Sequence, residues 1–379
     1  MLLASLAARL SAPSTGGVPK DDIFEGFEID VAPRPAKRRK QNPVEEIDGD
    51  APSPVIFLSP GLKNDVRFKV YGKFEYHLHS VVLKLHSAFF RRFLDSPEKS
   101  DDPASSEFQY EYVSVEDEQG WLVEPRREPS SPWSGESPSD TIDQKAFEKL
   151  LCAFYNRDYT VESTDELKAM TAIADYYCAL PILSKTLKGA LLGSPIFDLN
   201  NNDRRSPFKE NSYDLIFTAQ KLRHAELFRE CFVHIVGTWV DGPVPKDSLN
   251  RLKHDPELLS LISASHIDLC RALLELNQEI LLMIVEREEE DILSVDNGPN
   301  RMRRPTRNAA YYRALETQFE LKDFSDDCPM LWRAFGNLFK NNLIFDRSGL
   351  GAGEGPYQYF LCASIKDEDL PWDPKEVDF

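Results

Sequence analysis

No stretch of the chain approaches the roughly 18 consecutive apolar residues that a membrane-spanning helix needs, so no integral span is expected. The six cysteines, Cys152, Cys178, Cys231, Cys270, Cys328 and Cys362, never stand in C-x-x-C spacing, and most have apolar neighbours. They read as small buried hydrophobes of a reducing compartment rather than as disulfides or a zinc site. Histidine is scarce, with seven in all. His77, His79 and His86 have no cysteine or carboxylate at ligand spacing, so no metal is expected. The motifs G-x-S-x-G and H-E-x-x-H do not occur. Gly349, Gly351, Gly353 and Gly355 alternate in a loop, but no Lys-Ser/Thr follows them and the helix precedes them; a flexible connection is expected there, not a phosphate cradle. Neither an enzyme nor a bound cofactor is therefore expected.

Cations are also short, 45 against 63 acids, which leaves a formal net charge of -18. Such a chain repels phosphate backbones, and neither a zinc-finger spacing nor a basic helix offsets that, so direct nucleic-acid binding is not expected. The N-terminus has no charged region before Leu2, Leu3, Leu6 and Leu10, which argues against a secretory signal. The absence of any acid before Asp21 leaves a mitochondrial presequence open, with one arginine to support it.

What is present is globular. The 379 residues are 41% hydrophobic and 28% charged, with 23 Phe and 13 Tyr as core material. That length suggests two folded units plus tails. Residues 1–59 are rich in Pro, Ser, Gly and Asp without periodicity and read as a disordered tail. Within it Lys37, Arg38, Arg39 and Lys40 form a basic run suited to the acidic groove of an import receptor, and a nuclear or nucleo-cytoplasmic location follows as an expectation.

Order begins near Asn64. Val66, Phe68 and Val70 alternate with polar residues, Gly72 offers a turn, and Phe74, Tyr76 and Leu78 alternate again, which predicts a hairpin with one apolar face. The period changes at Ser80 to a short helical stretch through Val81, Val82, Leu83 and Leu85. Ser87 is placed to cap a second helix carrying Phe89, Phe90, Phe93 and Leu94. Phe108, Tyr110 and Tyr112 predict a third strand, and an acidic turn leads on to Trp121, Leu122 and Val123. Polar insertions are expected at 97–106 and 124–140. Three helices follow: one with Phe147, Leu150, Leu151, Phe154 and Tyr155, one opened by the capping-box pair Ser163 and Glu166, and one with Pro181 in its first turn.

This order, with its residues, resembles the BTB/POZ domain. Asn64 to Phe68 is similar to that family's opening strand. His79, Leu83, Ser87 and Phe90 are similar to its H-x-x-V-L-x-x-x-S-x-x-F run, and Phe147 to Tyr155 to its F-x-x-L-L-x-x-x-Y helix. Ala174-Asp175-Tyr176-Tyr177 is similar to its A-D-x-Y helix. The resemblance covers about a third of the chain, residues 60–193, and marks Asp65, His79, Leu83, Ser87, Phe90, Ala174 and Tyr177 as family positions. The tyrosine-rich third strand and the insertion after it are similar to the fungal branch.

The resemblance implies an α+β fold and a protein-binding role: docking of a cullin scaffold as a ubiquitin-ligase substrate adaptor, or service to nuclear co-regulators as a scaffold. It implies partner contacts at Phe93, Leu94, Phe154 and Tyr155. Homodimerising members often carry a basic residue just after the histidine matching His79, near the aspartate matching Asp65; here Ser80 stands there, with Lys84 one turn on, so the homodimer is left open.

Beyond a polar linker at 194–210, a mostly helical domain is expected over 211–295, with helices around Leu215 to Leu222 and Leu227 to Trp239 and a longer one from about His266 to Leu293. An Arg-rich loop spans 296–310. A C-terminal segment, 311–379, is expected to carry a helix with Trp332, Phe335 and Phe339 and a strand through Tyr357, Tyr359 and Leu361.

Overall fold

Alternation of apolar side chains builds the sheet. In the computed structural model, β2 (Val66–Val70) and β3 (Phe74–Leu78) form an antiparallel hairpin in register Phe68 to Tyr76. The structure describes residues 53–96, 104–117, 120–125, 138–198, 207–239, 246–287, 309–321, 328–376 and 379. Val66, Phe68, Val70, Tyr76 and Leu78 are buried on one face. Tyr71 and Gly72 turn the chain with φ of 51° and 67°, the left-handed region that glycine tolerates without penalty. The order across the sheet is β1-β3-β2-β4-β5. The two-residue β1 (Val55–Ile56) lies parallel to β3, β4 (Tyr110–Asp117) lies parallel to β2, and β5 (Gly120–Pro125) closes a hairpin with β4. Parallel pairing of β2 with β4 requires a crossover, which two short helices supply: α1 (Ser80–His86) and α2 (Ala88–Leu94).

Three helices follow, the first packed on the apolar face through Phe147, whose ring meets those of Phe68 and Tyr76. These are α3 (Pro138–Phe154), α4 (Thr164–Tyr176) and α5 (Leu180–Leu192). Phe147, Leu150, Leu151 and Phe154 of α3 are all buried. Ser163 caps α4 by accepting from the Glu166 N–H at 3.2 Å. Glu166 reaches back one residue further than a capping box would, to the Glu162 N–H at 2.7 Å, and its carboxylate also pairs with Lys149.

The remaining helices are α6 (Pro207–Lys221), α7 (Ala225–Thr238), α8 (Lys246–His254), α9 (Pro256–Arg287), α10 (Ala309–Leu321) and α11 (Pro329–Phe339). The architecture is α+β, a small sheet with helices followed by a helical half.

Several expectations change. The fold starts before residue 60, because Phe57 is buried and Asn64 donates to its carbonyl. The segment 194–210 is not simply a polar spacer: Ile196, Phe197 and Phe208 are buried, and Phe197 stacks on Phe345 at 4.9 Å. One continuous core accordingly runs from the sheet through α6 and α7 to Phe345, Ile365 and Leu370, and residues 51–379 cluster as a single unit. A second core joins Val233 of α7 to α9, α10, α11 and Tyr357 to Leu361. The long helix begins ten residues before His266, at Pro256.

Tyr357, Tyr359 and Leu361 form no strand. Phe360 between them is buried too, so the run is an irregular strip laid across α7. Gly237 permits this approach, since a Cβ there would stand 2.2 Å from the Phe360 carbonyl oxygen. The glycine loop is tied rather than loose. Arg313 donates to the Ala352 carbonyl at 2.6 Å, and a Cβ on Gly353 would meet the Ala309 backbone at 2.8 Å. Among the cysteines, Cys231 is buried, but Cys178 and Cys270 are exposed, against the expectation of buried thiols.

Candidate interaction surface

The junction between β3 and α1 brings together Asp65, His79 and Ser80, the first two of which the resemblance marks. His79 takes the extended backbone of a helix N-cap (φ -115°, ψ 125°), yet its side chain makes no capping bond. The ring turns inward, and its Nδ1 lies 2.9 Å from the Tyr155 hydroxyl, which also accepts from the His79 backbone N–H at 2.8 Å. One phenol thus anchors both ends of a residue that is 1% exposed, while the His79 Nε2 is buried without a partner. Burial pushes the Tyr155 hydroxyl up to about 12, which keeps it protonated and able to serve both bonds. Capping of α1 falls instead to Asp65, whose Oδ1 accepts from the Ser80 N–H at 2.7 Å and whose Oδ2 accepts from the Ser80 hydroxyl. A carboxylate at a helix start satisfies donors that the helix cannot. Serine after His79 is therefore the partner Asp65 uses, and Lys84 does not take that role: its ion pair is to Asp95.

The other positions that the resemblance marks gather around a stacked ring pair beside the two short helices. Ser87 Oγ accepts from the Phe90 N–H at 3.0 Å, capping α2 as expected, and donates to the Tyr177 carbonyl at 2.6 Å. That second bond joins α2 to the end of α4. The Phe90 and Tyr177 rings stack at 5.0 Å with planes 12° apart. Leu83 and Ala174 are fully buried beside them.

Of the four expected partner contacts, two are core residues and two lie half-buried. Leu94 and Phe154 are each 3% exposed and belong to the core. Phe93 is half-buried, stacked on Phe89 and tilted against Tyr112, each at 5.0 Å. Tyr155 is half-buried and committed to His79 and to the Phe57 ring at 4.7 Å. Helical spacing of aromatics in these segments reports the face turned to the sheet, not the face turned to a partner. On the helices around these residues, Val81 and Leu85, 53% and 68% exposed and one turn apart on α1, turn to solvent, as does Tyr176, 49% exposed, at the end of α4. Short-helix periodicity could not separate them from Leu83, because seven residues span only two turns.

The helical half carries buried polar groups. His234 Nδ1 lies 2.9 Å from the Tyr359 hydroxyl. His224 caps α7, its Nδ1 accepting from the Leu227 N–H at 3.1 Å, and burial holds its pKa down to about 4, so the ring is neutral. Glu230, fully buried in α7, accepts through Oε2 from the backbone N–H groups of Ile344 (2.5 Å) and Phe345 (3.3 Å), and its Oε1 has no partner. Burial outweighs those two bonds and pushes this carboxyl up to about 7. A single acid within Leu227-Phe228-Arg229-Glu230-Cys231-Phe232 was the available signal, and the expected α7 face passed over it.

A cleft of about 440 Å³ opens beside this region, lined by Ser194, Phe197, Asp198, Phe345, Asp346 and Arg347 among others. Ser194 donates to the Val161 carbonyl at 2.6 Å, so its hydroxyl proton is not shared with a base. Among the described residues, no group of three or more His, Cys, Asp or Glu is arranged to hold a metal, and no helix is long and apolar enough to cross a membrane. Lys37, Arg38, Arg39 and Lys40 lie outside the described residues. No protein-family model matches the chain, and neither a curated protein nor a solved structure does.

Proposed function

We propose that the chain is a non-catalytic protein-interaction protein whose N-terminal folded part is a BTB/POZ-like domain, acting as a substrate adaptor for a cullin-type scaffold. One observation carries the reading. All seven family positions are engaged in holding the hairpin, crossover helices and α4 together, while Val81 and Leu85 of α1 remain open to solvent. A domain whose recurring residues serve its architecture and whose outer helix shows paired apolar side chains suits binding of a partner helix or groove. The helical half shares the first core, so a substrate held there would be positioned relative to the scaffold. The test is recovery of cullin by the intact chain beside a Val81→Asp/Leu85→Asp variant of equal thermal stability. Retention by the intact chain and loss by the variant supports the adaptor. Recovery of chromatin-associated proteins without cullin supports the second reading, a nuclear co-regulator or scaffold. Nuclear entry through Lys37 to Lys40 belongs to either reading, and alanine at all four should shift a fluorescent fusion to the cytoplasm.

A further inference from the structure

One buried carboxyl ties an irregular stretch of chain to α7. Between α11 and the Tyr357 to Leu361 strip, residues 340–348 form no helix or strand. On one side the stretch is fixed at Asn342, whose backbone N–H donates to the Leu361 carbonyl at 3.1 Å and whose side chain donates to the carbonyls of Cys362 and Ala363. On the other side it is fixed at Asp346, which accepts a hydrogen bond from Tyr357. Between these anchors the backbone N–H groups of Ile344 and Phe345 both donate to one atom, Glu230 Oε2. The Phe345 ring lies on Phe197 and walls the cleft of about 440 Å³. The second oxygen of the same carboxyl, Oε1, is buried without a partner. A carboxylate ionised in that place gives up water and receives no cation in exchange, which is costly wherever it occurs.

The surrounding groups do not relieve that cost. On the stretch itself, Asp346 adds a second negative charge. From the strip, Tyr357 and Tyr359 face Glu230 as phenols that burial keeps protonated. On α7, Cys231 is a buried thiol, His234 is bound to the Tyr359 hydroxyl, Glu226 pairs with Lys188, and Arg229 pairs with Asp367. From α6, Tyr213 meets Thr238. Of the charged groups on the cleft wall, Asp198 is an acid and Arg347 is exposed.

We propose that Glu230 is a proton-operated latch on residues 343–345. Protonated, the carboxyl stays in its dry site and holds Ile344 and Phe345 against α7. When the proton leaves, the carboxylate takes up water from the cleft, and Ile344 and Phe345 lift away from Glu230 and Phe197 between the anchors at Asn342 and Asp346. The lifted stretch leaves the carboxyl hydrated, with its ordinary value of 4.5, whereas burial pushes it up to about 7 in the held state. Holding is therefore at full strength below pH 4.5 and is lost as pH rises through about 7.

Amide hydrogen exchange of the full chain, read by mass spectrometry on fragments covering Leu343 to Phe345, tests this. After correction for the pH dependence of unprotected amides, the opening constant of Ile344 and Phe345 should rise about 300-fold from pH 4.5 to 7 and level off above it, the factor carried by a shift from 4.5 to about 7. The opening is local, so ~1 M urea should leave it unchanged while speeding exchange of the buried α3 amides. Glu230→Gln has no carboxyl to ionise and should give a flat profile. If that variant does not fold, the wild-type profile and its urea dependence decide. A flat wild-type profile, a rise that persists in the glutamine variant, or exchange of Ile344 and Phe345 only together with the α3 amides overturns the proposal.

Discussion

Replacing Glu230 by glutamine should flatten one limb of the stability–pH curve. The carboxyl has an ordinary value of 4.5 and is pushed up to about 7 by burial in α7. Between those values the folded chain holds a proton that the unfolded chain has released. Stability carried by this group is therefore full below pH 4.5 and is lost as pH rises through 7. At about 1.4 kcal/mol per unit, the wild type loses about 3 kcal/mol relative to the glutamine variant across that window. Glutamine keeps an acceptor for the Ile344 and Phe345 N–H groups. It also buries an amide N–H₂ where Oε1 has no partner, a cost that does not vary with pH. The slope of the difference, not its offset, is thus diagnostic. Urea unfolding of both proteins at half-unit steps from pH 4.5 to 8 supplies it. Parallel curves would show that the carboxylate finds solvent or a cation in solution, and the account of Glu230 would be withdrawn.

His224 should act with the opposite sign. Its pKa lies near 4 rather than 6.5, so stability falls as pH drops through that interval, and His224→Asn, which keeps a capping acceptor, should gain about 3 kcal/mol relative to wild type at pH 4. Gly237→Ala should cost about 1–3 kcal/mol in denaturant melts despite alanine's better helix propensity, because its Cβ would stand 2.2 Å from the Phe360 oxygen; a neutral or stabilising result would mean the Tyr357 to Leu361 strip does not lie on α7. Ser87→Ala should cost about 2–3 kcal/mol, the sum of a lost cap on α2 and a buried Tyr177 carbonyl left without its donor, and a loss under 1 kcal/mol would contradict that double role.

Local periodicity was readable where one face is buried and the other wet. Val66 to Val70 and Phe74 to Leu78 alternate because one side of the hairpin meets α3, and their limits are the observed β2 and β3. Caps were readable for a related reason, since Ser87 and Ser163 act within three residues of themselves. Tertiary decisions were not. The strip from Tyr357 to Leu361 alternates like a strand, yet it pairs with no strand among the described residues, and the burial of Phe360 breaks the pattern. The polar composition of 194–210 hid Ile196 and Phe197, which are buried because Phe345 returns from far along the chain to cover them. Aromatics at Phe154 and Tyr155 suited both a partner-contact face and a core face, and only burial separates the two. In α9 the apolar residues were legible but not their faces: Leu269, Leu273, Leu276, Ile280 and Met283 are buried while Ile267, Leu274 and Leu281 stay exposed, and only the packed core tells the two sets apart.

The adaptor reading is tested most directly by titrating the purified full chain with the N-terminal helical region of a cullin, followed by calorimetry or fluorescence anisotropy. The account expects saturable one-to-one binding per chain with a dissociation constant of about 1 µM or tighter, weakened about a hundredfold or more by Val81→Asp/Leu85→Asp. Absence of binding up to ~100 µM, or equal binding by the α1 variant, would contradict it.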